Sequence, residues 1–146
     1  MTGSLMTSAF APSPPQWGKT KQTEQNMTQK TLTKEELSQF TGTEQWYRHG
    51  IARKVLYTDG AKHVAESAGA YWLIDEIAFA QAIRQVAAEG FQLWKLKVNP
   101  NHSATLACED GNSKIVFAKG IEFTDFPLDE IAFYFTDNVL MLPSEY

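Results

Sequence analysis

Trp94-Lys95-Leu96-Lys97-Val98 is the stretch that decides the fold. Apolar and charged residues alternate without a break, so every second side chain faces the same way, as in a half-buried strand. The period of two continues downstream. Ala104, Leu106 and Cys108 alternate with Thr105 and Ala107, and Ile131, Phe133 and Phe135 alternate with Ala132, Tyr134 and Thr136. Between them Ile115, Phe117 and Phe123 share one parity, with a bulge at Gly120 as the place where register would break. Asn99-Pro100-Asn101, Asp110-Gly111-Asn112 and Asp137-Asn138 read as turns, the last leading into residues 139–142. Short turns predict antiparallel neighbours.

Upstream the period changes to that of a helix. Residues 69–88 place Ala70, Leu73, Ile74, Ile77 and Gln81 on one side and Trp72, Asp75, Glu76, Phe79 and Ile83 on the other. The second side mixes carboxylates with large apolar groups, unlike the polar face of a plain surface helix. Glu89-Gly90 marks the end of this main helix. Asp59-Gly60 predicts a two-residue hairpin turn joining strands at 53–58 and 61–66; the competing reading starts a helix at Asp59. Residues 45–49 form a further extended run. Thr33-Lys34-Glu35-Glu36 is a capping box for a short helix reaching about Phe40, with Gly42 as its stop. The expected fold is α+β: one main helix packed on an antiparallel meander of about four strands, preceded by a short helix and a β-hairpin. Residues 31–146 form a single domain in this reading. Residues 1–30, with Ala11-Pro12-Ser13-Pro14-Pro15 and a polar run, are expected to be a disordered tail, or a misassigned start with Met27 as the alternative.

With 146 residues, 43% of them hydrophobic, the chain has enough apolar surface for one core. A formal charge of −4 gives no reason to expect nucleic acid as a partner. The charge is uneven. Arg48, Arg53, Lys54 and Lys62 face only Asp59 within residues 48–63, whereas residues 109–146 hold eight acids against Lys114 and Lys119. The single cysteine excludes an internal disulfide and suits a reducing, cytoplasmic setting. No apolar run approaches the roughly 18 residues that cross a membrane, so no membrane partner is expected.

Four segments carry a resemblance. Gly-Thr-Glu-Gln-Trp-Tyr-Arg-His at 42–49, Tyr-Thr-Asp-Gly at 57–60, Gly-Ala-Tyr-Trp-Leu-Ile-Asp at 69–75 and Leu-Pro-Ser-Glu-Tyr at 142–146 resemble a family of small bacterial and phage proteins of unknown function. The resemblance covers roughly residues 32–146 and implies one domain and an origin near mobile elements. It implies no activity, cofactor or catalytic residue.

The catalytic candidates are His49 as a general base, Arg48 as an anion holder, and Asp59 or Asp75 as the orienting or second carboxylate. The competing structural readings tie Arg48 to Glu44, Asp59 or Asp75, tie Asp75 and Glu76 to Arg48 or Arg84, and pair Tyr71 with Asp75. No metal site is expected, because His49, His63, His102 and Cys108 lack a zinc-like spacing. No cofactor motif is present, and Cys108 reads as a buried thiol. The binding candidates are Trp46, Tyr47, Arg48, Arg53 and Lys54 on the basic hairpin and Trp72, Glu76 and Phe79 on the second face of the main helix. A helix apolar on both sides needs cover on both, so the leading expectation is a small non-enzymatic binding module whose partner is another protein or a second copy in a homodimer. A small hydrolase built on His49, Arg48 and a carboxylate is one alternative. The other is an acidic inhibitor of a nucleic-acid-binding protein, which requires the acids of residues 109–146 to share one face.

Overall fold

The computed structural model describes residues 32–146; the expected tail or alternative start within residues 1–30 lies outside the described residues. Helix α1 (Lys34–Ser38) precedes strands β1 (Trp46–Arg48) and β2 (Leu56–Thr58). Helices α2 (Asp59–Ala68), α3 (Tyr71–Ala80) and α4 (Arg84–Ala87) follow. Five strands complete the chain: β3 (Phe91–Val98), β4 (Ala104–Glu109), β5 (Ile115–Ile121), β6 (Glu130–Thr136) and β7 (Val139–Met141), closed by a 3₁₀ turn over Pro143–Glu145. All seven strands lie in one sheet, in the order β1-β2-β7-β6-β3-β4-β5.

This overturns the expected single helix on a four-stranded meander. The sheet has seven strands and is mixed, because β2 and β7 run parallel. Short turns do join antiparallel neighbours at β3/β4, β4/β5 and β6/β7. The step from β5 to β6 has no such turn. Residues 122–129 form a longer link, and β6 returns to pair with β3, Trp94 lying beside Phe133. The register break falls not at Gly120, which pairs with Thr105, but between Ile115 and Phe117 opposite Cys108/Glu109.

The helical region also differs. Asp59-Gly60 opens α2 instead of a hairpin: Thr58 is the N-cap, its hydroxyl accepting from the Ala61 N–H at 3.3 Å. The pairing of residues 53–58 with 61–66 is therefore replaced by β1 against β2, Tyr47 opposite Tyr57. Gly69, at φ 62°, closes α2 in the left-handed region, so it ends one helix and does not begin the next. The expected main helix is broken at Ile83, whose backbone is extended. A buried amide stands at the break. Gln92 donates to Gln81 Oε1 at 2.9 Å and to the Val86 carbonyl at 2.8 Å, while its own oxygen accepts from Gln81 at 2.8 Å and from the Trp94 indole at 2.9 Å. The bond to the Val86 carbonyl satisfies a backbone acceptor beside the break, and the others pair the buried amide and indole groups with one another. At α1 the Thr33 hydroxyl accepts from the Glu36 N–H at 3.2 Å, as the capping box predicts.

The core lies between one sheet face and the helices. Trp94, Leu96, Leu106, Cys108, Phe133 and Leu140 are buried on the sheet side, and Val64, Leu73, Ile74, Ile77 and Val86 on the helix side. Burial pushes the Cys108 thiol up to about 12, with help from nearby Glu89, Glu109 and Asp110.

Candidate functional site

The four motif segments meet. Strand β1 and the start of α2 are joined through Asp59, which accepts from the Glu44 N–H at 3.1 Å and from the Tyr47 hydroxyl at 2.9 Å. The Glu44 amide, then the Tyr47 hydroxyl, hold the Asp59 carboxyl below its ordinary value, and the same bond from Tyr47 raises that phenol. The Tyr47 ring stacks on Tyr57 at 5.6 Å, with Lys62 Nζ 4.6 Å from its centroid.

The carboxylate of Glu145 binds the next junction. It accepts from the Thr58 hydroxyl at 2.6 Å, the Gly60 N–H at 3.1 Å and the Leu142 N–H at 2.9 Å. An anion at the first turn of α2 is stabilised by the exposed N–H groups there. A side chain at position 60 would displace the Glu145 carboxylate, since an added Cβ would stand 2.5 Å from Glu145 Oε1 and 2.8 Å from Leu142 Cδ1.

His49 and Asp75 form the third junction, Nε2 to Oδ1 at 2.7 Å. His49 Nδ1 accepts from the Ile51 N–H at 3.1 Å and the Ala52 N–H at 2.9 Å. Those two donors fix Nδ1 as the acceptor, so the proton sits on Nε2 and is donated to Asp75. The His49 backbone N–H donates to the Val55 carbonyl at 2.9 Å, and the ring meets Phe79 edge-on at 5.3 Å. His49 thus ties the loop of residues 49–55 to the flank of α3. Both ring nitrogens are engaged, which leaves no lone pair to take a substrate proton.

The other catalytic candidates do not join this pair. A cleft of about 210 Å³ holds His49 and Asp75 with Ile51, Tyr57 and Tyr71, but neither Arg48 nor Asp59 lines it. Arg48 donates to the Arg53 carbonyl, not to Glu44, Asp59 or Asp75. The Tyr71 hydroxyl turns to Glu66 at 3.4 Å, and burial raises its pKa. Glu76 pairs with Lys119 at 2.8 Å and not with an arginine. Among the described residues no three His, Cys, Asp or Glu side chains gather to hold a metal, and no helix is long and apolar enough to cross a membrane.

The binding candidates divide. Trp72 is half-buried beside Ile121 and Phe123, and Glu76 is tied to β5. Tyr47 is covered by Tyr57 and Lys62. Trp46 and Arg48 project from the opposite side of β1 to Tyr47. Phe79 stays 46% exposed against the His49 ring, and Ile51, whose N–H caps the same ring, is 77% exposed, a residue that sequence reasoning passed over. An apolar residue in the polar loop Gly50-Ile51-Ala52-Arg53-Lys54 was the available signal. A second cleft of about 540 Å³ adjoins this patch, walled by Arg53, Lys54, Phe79 and Asp137. The acids of residues 109–146 do not gather in one place: Asp110 and Asp137 lie at one end of the sheet and Asp129 and Glu130 at the other, while Glu145 is engaged internally.

No curated protein and no solved structure matches the chain. A family model does match, over residues 31–146, which take in all four motif segments; the chain belongs to that family of unknown function, DUF6876.

Proposed function

We propose that the chain is a small binding module without catalytic activity, that residues 31–146 act as its single domain, and that its partner is another protein. The contact surface is the loop of residues 49–55 together with the exposed flank of α3. One observation carries the reading. Ile51 and Phe79 are exposed at 77% and 46% on either side of His49, which is only 7% exposed. Large apolar side chains on a backbone already fixed by His49 lose little conformational freedom on binding, the condition that makes a good anchor. Arg53 and Lys54 at the rim favour a partner with acidic groups beside its apolar contact. Trp46 and Arg48 belong to a different surface and add nothing to this one.

A reducing cytoplasm suits a chain whose one thiol is buried. An origin near mobile elements remains part of the proposal through the motifs alone.

The test compares the wild-type chain with Ile51→Arg and Phe79→Arg as baits for its host's proteins, each variant first checked for an unchanged melting curve. A partner captured by the wild type and lost with both variants supports the reading. Capture that survives both substitutions contradicts it. Light scattering on the same samples identifies a second copy as the partner if the wild type is dimeric and the variants are monomeric.

A further inference from the structure

We propose that a third cleft, between α1, the closing 3₁₀ turn and the open face of β3 and β6, binds a small anion with an apolar body, such as a carboxylate on an aliphatic chain. The cleft has a volume of about 410 Å³, within the range that takes small molecules. Lys34 reaches it from α1, and Lys95 and Lys97 from β3. Leu37, Ala132 and Pro143 supply its accessible apolar lining. It shares no residue with the clefts beside His49 and Phe79, so it stands independently of the proposed protein contact.

Charge and polarity together specify the ligand. The chain carries −4 overall, yet three lysines line this one cleft against a single acid, Glu130. Lys95 is partly neutralised by Glu109 at 3.3 Å. Lys34 and Lys97 make no ion pair among the described residues. Lys34, together with Lys97 opposite Glu130, holds a compact anionic head, and each ammonium is a strongly hydrated point charge on a flexible stem. The Leu37, Ala132 and Pro143 side chains hold the hydrocarbon body by removing it from water. A neutral apolar ligand would leave the lysines unused. A long polyanion would need a continued basic track, and Glu130 ends this one.

Lys97 lies on the sheet face opposite Trp94 and Leu96, so its substitution leaves the core intact. The experiment titrates the full chain with decanoate below its micelle concentration and with the uncharged decan-1-ol, by calorimetry and by amide chemical shifts. The expected result is saturable binding of one decanoate, weaker binding of the alcohol, and shifts centred on β3 and α1. Lys97→Glu and Lys34→Glu should each weaken decanoate by roughly tenfold or more. Lys54→Glu, on the other cleft, should leave it unchanged. The proposal is overturned by absence of saturable decanoate binding, by equal affinity for the alcohol, or by folded Lys97→Glu and Lys34→Glu variants that bind as tightly as the wild type.

Discussion

The centre of the sheet and the junction of the four motif segments are held together by different physics. At the centre, Trp94 lies between Cys108 and Phe133, and neighbours above and below repeat the arrangement. What matters there is apolar volume at the right parity, and many sequences satisfy it. At the junction, single atoms matter. Asp59 receives two donors, Glu145 three, and His49 Nδ1 two, from partners widely separated along the chain. The centre tolerates exchange of one hydrocarbon for another. The junction tolerates less, because a removed acceptor leaves partly buried donors without their partner.

Four substitutions test this contrast, in falling order of effect. Trp94→Ala should cost about 3–5 kcal/mol in chemical unfolding, since it empties the largest fully buried side chain among the described residues. Gly60→Ala should cost about 1–3 kcal/mol, because the new methyl group collides with Glu145 and Leu142. Glu145→Ala in the same chain should recover part of that loss, and a strictly additive pair would break the account of the collision. His49→Leu keeps comparable bulk yet should cost about 1–3 kcal/mol through the orphaned Ile51 and Ala52 N–H groups; a neutral result would place this junction in the same class as the core.

The smallest effect is one of pH. The Asp59 carboxyl is held below its ordinary value in the folded chain, so its contribution is present above the usual carboxylate range. That contribution is lost as pH falls through the lowered value. Melting curves of the wild type and Asp59→Asn should therefore differ near neutrality and converge on acidification. A gap that widens in acid would contradict the assignment.

The contrast also explains what was legible in the sequence. Period-two runs at 94–98, 104–108 and 131–136 identified strands, because burial on one face writes itself into alternation. The place of β6 beside β3 left no such trace, since the link before it is no short turn and imposes no neighbour. Asp59-Gly60 was ambiguous locally, and the residue that decides it is Glu145, far along the chain. The break after α3 carries no glycine or proline; it depends on Gln92, a polar residue at a core parity. Of the candidate site, His49 and Asp75 were both identifiable by type. Their partnership was one of two open alternatives, Asp59 being the other, and the exposure of Ile51 was passed over.

The central claim is that His49 fastens the loop of residues 49–55 to α3 and does not serve as a base. The tautomer of its ring tests this most directly, by long-range ¹H–¹⁵N correlation on histidine-labelled protein. The account predicts a proton on Nε2, protected from exchange by Asp75, and an unprotonated Nδ1 facing the Ile51 and Ala52 amides. A neutral ring with its proton on Nδ1, and Nε2 open to solvent, would contradict it and return His49 to the catalytic candidates.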